Sequence, residues 1–104
     1  MKSSKKEQLL EMLKSEPDDS FLNYALALEL AKENDLKKAI ELMEGILMKD
    51  ENYLAAYYQL GKLHELEENP EEAISMYNKG VLIASKQNNR KALGELNEAI
   101  MMLE

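Results

Sequence analysis

The stretch "ENPEEAISMYNKG", residues 68–80, repeats the apolar frame of "NDLKKAIELMEGI", residues 34–46, at a distance of 34 positions. Both segments open with polar residues, continue with two like charges and reach the pair Ala-Ile at the same point. The charges are opposite, with two lysines in the earlier copy and two glutamates in the later one. An exposed charge changes at a cost usually under about 0.5 kcal/mol, whereas enlarging a buried small residue costs more. The frame therefore predicts repeated helices with a buried Ala-Ile pair and solvent-exposed charges.

The 34-residue period extends along much of the chain. Side-chain size or polarity recurs in the pairs Tyr24/Tyr58, Leu26/Leu60, Ala27/Gly61, Glu33/Glu67, Ala39/Ala73, Ile40/Ile74, Leu42/Met76 and Leu47/Val81. Self-similarity at this period is typical of stacked helix-turn-helix units. Capping and turn residues divide the chain into about six helices, and no alternating strand pattern competes with them. The sequence predicts an all-α fold.

The composition excludes several classes of site. The 104 residues include no cysteine, and a single histidine, His64, is too few for a histidine-based catalytic array or metal cluster. We therefore expect no metal and no cofactor. The net charge of −7 is spread along the chain and disfavours nucleic-acid binding. No apolar run approaches the length of a membrane span, so we expect a cytoplasmic protein without membrane association.

No known catalytic motif occurs in the sequence. It has no phosphate-binding loop, no nucleophile elbow and no zinc-protease helix motif, so we do not expect an enzyme. An acidic corner is formed by Glu65, Glu67, Glu68, Glu71 and Glu72. It lacks the spacing and the loop glycine of an EF-hand, so we interpret it as solvated surface. His64 is interpreted as a structural residue.

Seven positions of each 34-residue unit form a known pattern. In the later unit they are Tyr57, Leu60, Gly61, His64, Ala73, Tyr77 and Gly80; in the earlier unit they are Asn23, Leu26, Ala27, Leu30, Ala39, Met43 and Ile46. The pattern resembles a tetratricopeptide repeat. The earlier unit departs from it at Asn23, where a large residue is usual, and at Ile46, where a small one is. The later unit departs at His64, where Tyr is usual, and at Gly80.

The resemblance implies an all-α, right-handed α-solenoid of antiparallel helix hairpins, with about six helices in one domain of residues 1–104. Residues 20–53 and 54–87 are then two full repeats. Residues 3–17 resemble the second helix of a preceding repeat, and residues 89–103 form a C-terminal capping helix.

The capping helix fits the repeat only with a change of register. Strict register would bury Lys91 and Glu95, whereas a shift of two residues buries apolar ones instead. We therefore expect a loop two residues longer than usual before this helix. The shifted core positions are Leu93, Leu96, Asn97 and Ile100, followed by Leu103.

In this family the first helix of each hairpin lines a concave groove that receives peptides. The segment "SFLNYALALELAKE" is apolar almost all round, as a helix with one buried stripe would not be. Phe21, Tyr24 and Leu28 form its second stripe. The predicted peptide-binding residues are Phe21, Tyr24, Leu28, Lys32, Tyr53, Tyr58, Lys62 and Glu65. The alternative is that Phe21 and Tyr24 are core residues covered by neighbouring helices.

The resemblance implies a non-catalytic protein-protein interaction module whose partner is a segment of another protein. Some family members hold a C-terminal carboxylate with a Lys and Asn clamp, but Tyr24 and Leu28 occupy two of those positions here. The second hypothesis is a structural, self-associating protein. It would form a homodimer through the apolar first hairpin or through the terminal helix with Met101 and Met102. A monomer or a weak homodimer is expected.

Overall fold

The computed structural model describes residues 4–104, and this part of the chain forms six α-helices and no strand. The helices are α1 (Lys5–Ser15), α2 (Ser20–Lys32), α3 (Leu36–Lys49), α4 (Leu54–Leu66), α5 (Pro70–Lys86) and α6 (Arg90–Leu103). The prediction of an all-α helical-repeat fold with about six helices is therefore confirmed. The predicted N-terminal segment began at residue 3, which lies outside the described residues.

Two helices begin with the capping residues that the sequence predicts. The Ser4 hydroxyl accepts a hydrogen bond from the Glu7 N–H at 3.1 Å, and the Glu7 carboxylate accepts one from the Ser4 N–H at 3.0 Å. The bond to the Ser4 backbone holds the pKa of the Glu7 carboxyl below its usual range. Helix α5 has Pro70 in its first turn, and its Asn69 cap accepts a bond from Glu72 N–H. These bonds satisfy N–H groups that have no partner within the helix.

The contacts between helices divide the chain into two compact units, Met1–Glu51 and Asn52–Glu104. In the first unit α2 packs against both α1 and α3, and in the second unit α5 packs against both α4 and α6. Within each unit short turns join the helices, so neighbouring helices of that unit run antiparallel. Each unit therefore consists of three helices with the middle one in contact with both others.

Three turns of the chain share one backbone conformation. Asn34, Glu68 and Asn88 have positive φ angles of 63°, 60° and 54°. The residue after each donates its N–H at 2.9 Å to a carbonyl five positions earlier, in the pairs Asp35–Leu30, Asn69–His64 and Asn89–Ala84. This is the Schellman motif, which pairs the free carbonyls at a helix end. The donors Asp35, Asn69 and Asn89 thus complete the end of one helix and stand at the N-cap position of the next, where the side chains of Asn69 and Asn89 also accept a capping bond.

The connection from α1 to α2 explains a departure from the family pattern. The Asn23 side-chain amide donates to the carbonyl of Pro17 at 3.0 Å and to that of Asp19 at 2.9 Å. The Asp19 carboxylate in turn accepts the Leu22 N–H at 2.8 Å and caps α2. A large apolar residue at position 23 could not make these bonds. Asn23 therefore fixes the turn that leads into α2.

The predicted long loop before α6 is wrong, although the shift of two residues is present. Helix α5 has 17 residues, three more than the 14 of α3. The connection after it, residues 87–89, is one residue shorter than the connection after α3, residues 50–53. The extra length therefore lies in the helix and not in the loop.

Helix α6 packs through Leu96 and Ala99, which are 1% and 8% exposed, with Ile100 partly buried beside them. The prediction that Asn97 lies in the core is wrong, because Asn97 is exposed. Successive helical residues point about 100° apart, so the face that buries Leu96 turns its neighbour Asn97 away. Ala99 takes the inward position instead.

In the repeated frame Ala39, Ile40 and Ala73 are buried, whereas Ile74 and the neighbouring Glu72 are half-buried. Ala39 and Ala73 are both fully buried, and each lies in the second helix of its hairpin. Lys37, Lys38 and Glu71 are exposed to solvent. This distribution explains why the charges differ between the two copies while the alanine does not.

Small residues also occupy the first helix of each hairpin. Ala27 is fully buried on α2, and Gly61 is buried on α4, where it lies against the ring of Tyr77 from α5. Tyr77 is fully buried and belongs to a core with Ala73, Ala84 and Leu96. The small side chains permit the close approach of helices that the repeat requires.

Candidate functional site

The first candidate surface is a face of α2 in the first unit. Phe21 is 66% exposed, Tyr24 and Leu28 are half-buried, and the three residues follow one another at helical spacing along one side. The alternative that Phe21 is a core residue is therefore wrong. Lys32 lies at the end of the helix and is exposed, with its Nζ 3.0 Å from the Glu29 carboxylate. We call Phe21, Tyr24, Leu28 and Lys32 the α2 face.

Helix α2 carries more apolar side chains than are buried in the core of the first unit. Leu22, Leu26 and Leu30 already supply the buried side of the helix. Phe21, in contrast to these leucines, leaves its ring exposed to solvent at the start of the helix, close in sequence to the Asp19 cap. Single exposed apolar residues are common, but an exposed Phe beside half-buried Tyr24 and Leu28 forms a continuous apolar strip.

The second candidate surface is a face of α4 in the second unit. Tyr58, Lys62 and Glu65 lie at spacings of four and three residues and so share one side of the helix. The Lys62 ammonium lies 5.3 Å from the centroid of the Tyr58 ring, within range of a cation–π interaction. The Tyr58 ring packs on the ring of Tyr77, with 5.9 Å between centroids and 47° between planes.

Glu65 has a structural partner as well. The Tyr77 hydroxyl donates a hydrogen bond to the Glu65 Oε2. Burial of the Tyr77 ring, followed by this bond to a carboxylate, raises the pKa of the phenol well above its ordinary value. The phenol thus remains a neutral donor, and Glu65 is fixed against α5. Glu65 serves the core of the second unit as well as its surface.

Tyr53 precedes the first residue of α4. Its carbonyl accepts a hydrogen bond from the Ala56 N–H at 3.1 Å, and its side chain is half-buried. We call Tyr53, Tyr58, Lys62 and Glu65 the α4 face. The eight residues singled out by the sequence thus divide equally between the two units, four on the α2 face and four on the α4 face.

A shallow depression of about 140 Å³ lies between α4 and α6 in the second unit. Its lining residues are Tyr58, Lys62 and Glu65 from α4 and Glu95, Glu98, Ala99 and Met102 from α6. Sequence reasoning missed the α6 residues because it treated that helix only as a cap. Their spacing of three and four positions already placed Glu95, Glu98 and Met102 on one helical face.

His64 and the acidic corner behave as structural features. His64 is only 9% exposed, and neither ring nitrogen has a hydrogen-bond partner among the described residues. At the corner, Glu67, Glu68 and Glu71 are exposed to solvent. Within residues 4–104, no group of three or more His, Cys, Asp or Glu side chains is arranged to hold a metal ion.

No helix in the described part of the chain has both the length and the apolar character required to cross a bilayer.

Comparisons with known proteins relate the chain to solved helical-repeat structures. The sequence profile of the tetratricopeptide repeat matches residues 30–96. A crystal structure of a tetratricopeptide repeat domain protein from Salinibacter ruber is 35% identical, covers 82% of this chain and 94% of that chain, and has a TM-score of 0.76. A solution NMR structure of such a protein from the same organism is 36% identical, covers 86% of this chain and 90% of that chain, and has a TM-score of 0.81. No curated protein matches the sequence.

A more distant structure shares the fold alone. The TPR2B domain of yeast Sti1, solved in a complex with pHsp70, is 20% identical, covers 94% of this chain and 78% of that chain, and has a TM-score of 0.87.

The profile match extends over more than half of the chain, and the Salinibacter ruber structures share over 30% of their residues with it. The matched region contains the repeated turns, the buried alanines and the close contact of Gly61 with Tyr77. The chain belongs to the tetratricopeptide repeat family.

Proposed function

We propose that this protein is a non-catalytic interaction module, located in the cytoplasm, that binds segments of a partner protein through the α2 face of the first unit and through the α4 face of the second unit. The observation that carries the proposal is the exposure of the Phe21 ring, at 66%, within an apolar strip on α2. A large ring left in water loses the free energy that burial would provide, which is about 25 cal/mol per Å² of apolar surface. A partner that covers Phe21 would recover that free energy.

The residue types on both faces suit such a role. Aromatic side chains offer a large contact area for little loss of conformational entropy, and tyrosine adds a hydroxyl for hydrogen bonding. Tyr24 contributes to the α2 face, and Tyr53 and Tyr58 contribute to the α4 face. Lys32 and Lys62 are exposed and can orient a partner through charge, by attracting its acidic groups and repelling its basic ones. Such contacts at the edge of an interface influence association rate and orientation more than affinity.

The structural neighbour from yeast supports docking of a protein on this fold. The Sti1 domain was solved in a complex with pHsp70, so a chain of similar architecture can hold another protein. Its partner does not carry over to this chain, since the likeness is one of fold. Two positions that hold a Lys and Asn clamp in some family members are Tyr24 and Leu28 here, so we expect recognition by apolar contact rather than by a carboxylate clamp.

The experiment compares two equally exposed apolar side chains on different helices. Phe21 on α2 is 66% exposed and Leu82 on α5 is 67% exposed. We expect Phe21→Ala to lose a partner captured from native cell extract, while Leu82→Ala retains it. Thermal unfolding of both variants should match wild type closely, since neither side chain is buried. Equal capture by all three proteins would refute the assignment of the α2 face.

A second variant tests both faces together. Tyr24→Ala combined with Tyr58→Ala should abolish capture while leaving the helix content intact. If this double variant unfolds, its tyrosines serve the core, and the Phe21→Ala result alone decides the proposal.

Self-association is the second candidate because the terminal helix exposes Met101 and Met102, at 73% and 81%. Isologous pairing is the commonest way in which such a surface is covered. Light scattering over a concentration series separates the two functions. A stable dimer that Met101→Ser with Met102→Ser converts to a monomer would favour the structural role. A monomer at all concentrations would favour binding of a different protein.

A further inference from the structure

We propose that the α4–α6 depression binds an arginine side chain of the partner protein, an inference that rests on the proposed function and specifies the chemistry of the partner. The depression lies within the second unit, where two helical stripes face it. Tyr58, Lys62 and Glu65 form the stripe on α4. Glu95, Glu98 and Met102 form the stripe on α6.

The size of the depression limits its occupant. A volume of about 140 Å³ falls well below the roughly 300–1,000 Å³ of typical cofactor and small-molecule sites. It is close to the roughly 150 Å³ of an engineered cavity that accepts one benzene molecule. The space therefore accommodates one side chain of a docked segment rather than a cofactor.

The charges of the lining select a cation. Three carboxylates and one ammonium group surround the depression. Glu65 already accepts the Tyr77 hydroxyl. Glu95 and Glu98 are exposed, and neither has an ion-pair partner among the described residues. A basic side chain between them would gain charge-assisted hydrogen bonds that an acidic or neutral one could not.

The remaining lining favours arginine over lysine. Tyr58 and Met102 both line the depression. A guanidinium group is planar, stacks on aromatic faces and donates in a forked geometry to carboxylates, while its alkyl stem packs on a thioether. Lysine offers a compact, more strongly hydrated charge.

Lys62 shows that the Tyr58 ring accepts a cation. Its Nζ lies 5.3 Å from the ring centroid. A partner arginine at the same ring would compete with Lys62 and experience its repulsion. Removing that charge while keeping the alkyl stem, by Lys62→Met, should therefore strengthen binding of an arginine-containing segment. If Lys62 contacted an acidic group of the partner instead, the same substitution would weaken binding.

The test uses peptides selected from a random phage-displayed library on the full chain. Selections run in parallel on wild type, on Glu95→Gln with Glu98→Gln, and on the control Glu44→Gln with Glu67→Gln. The control also removes two negative charges, but from exposed residues that do not line the depression. We expect arginine to be enriched at one peptide position with wild type and the control, and not with the Glu95 and Glu98 variant.

The most enriched peptide is then synthesised with arginine or with citrulline, its uncharged isostere. Fluorescence anisotropy should give a Kd about tenfold higher for citrulline on wild type, as expected for loss of a charge-assisted hydrogen bond. The difference in Kd between the two peptides should largely disappear on Glu95→Gln with Glu98→Gln. Once the carboxylates are gone, the loss of the peptide's charge has no interaction left to remove. Lys62→Met should lower the Kd of the arginine peptide.

The outcomes separate this inference from the proposed function. Peptides that require Phe21 but show no arginine enrichment, or that bind equally with citrulline, overturn the arginine site and leave the interaction module standing. A Kd that rises on Lys62→Met also overturns it. If wild type selects no peptide and captures no protein from extract, both proposals fail.

Discussion

Gly61 and Tyr77 are in direct contact where α4 crosses α5: a Cβ atom placed on Gly61 would lie 2.1 Å from Cε1 of the Tyr77 ring. The ring cannot retreat easily, because Tyr77 is fully buried and its hydroxyl is bonded to Glu65. Glycine at this position therefore allows the two helices of the second hairpin to approach each other.

We predict that Gly61→Ala destabilises the protein. Alanine normally stabilises a helix interior relative to glycine by about 1 kcal/mol, but overpacking a core costs about 1–3 kcal/mol and should dominate here. Chemical denaturation measures the difference. Gly94→Ala on α6 provides the matched control, since a Cβ there meets nothing within 4 Å. It should raise stability by up to about 1 kcal/mol. Equal shifts in the two variants would contradict the assigned crossing.

We predict that Glu68→Asn stabilises the protein. Glu68 has a φ of 60°, and asparagine occupies the corresponding positions of the other two turns, at Asn34 and Asn88. The left-handed conformation costs a residue with an ordinary side chain about 1–2 kcal/mol, and asparagine tolerates it better. We expect a gain of about 0.5–1 kcal/mol in the free energy of unfolding.

The neighbouring position supplies the control for this change. Glu67 has a φ of −86°, which any residue adopts, so Glu67→Asn should give no comparable gain. A gain at position 67 as large as that at position 68 would mean that reduced negative charge, rather than backbone conformation, is responsible.

We predict that Tyr77→Phe lowers stability by about 1 kcal/mol at neutral pH, because it removes the hydrogen bond to Glu65. Burial raises the pKa of the Tyr77 phenol in the folded protein. In the unfolded chain the phenol ionises near its ordinary pKa of about 10. The stability linked to the neutral phenol is therefore fully present below about pH 10 and is lost as the pH rises further.

The comparison of wild type with Tyr77→Phe isolates the effect of the Tyr77 phenol from that of the other groups that titrate at high pH. Above about pH 10, wild type should lose stability relative to the variant by up to about 1.4 kcal/mol per pH unit. Urea denaturation at intervals from about pH 8 to pH 11 measures the difference. A constant difference across that range would show that the phenol is accessible to solvent in the folded state.

We predict that His64→Leu stabilises the protein. His64 is buried with two ring nitrogens that have no partner among the described residues, and each such group costs about 1–3 kcal/mol of desolvation. Leu30 stands at the equivalent position of the first unit and is 5% exposed, so leucine is compatible with this site. We expect a gain of about 1–2 kcal/mol, measured as an increased midpoint of thermal unfolding.

His64→Asn serves as the control because it keeps a polar group at the site. It should not stabilise the protein. A loss of stability in His64→Leu would mean that the imidazole has a partner in solution.

The helices and the buried frame could be predicted because local signals determine them. Ser4 with Glu7 and Asn69 with Glu72 start helices through hydrogen bonds between residues only three positions apart. Ala39 and Ala73 recur because the repeat buries both. These features need no knowledge of the tertiary structure, and so a single sequence reveals them.

The end of α5 and the face of α6 could not be predicted in the same way. A two-residue shift fits a longer loop or a longer helix equally well in sequence, and the structure places the extra residues in α5. The α4–α6 depression depends on which side of α6 turns toward α4, and the register error at Asn97 obscured that. The excess of apolar residues on α2 indicated a second apolar stripe, but it left open whether Phe21 is exposed, which the structure shows it to be.

In each Schellman turn one residue belongs to both helix ends, and this limits how far the length of the turn can change. Asp35, Asn69 and Asn89 each complete the preceding helix and stand at the cap of the following one. Inserting or deleting a single residue there would disrupt two helices at once. The four-residue connection 50–53 carries no such double duty, because Asp50 ends α3 and Tyr53 precedes α4. We therefore expect inserted residues to be tolerated in that connection and rejected at the tight turns.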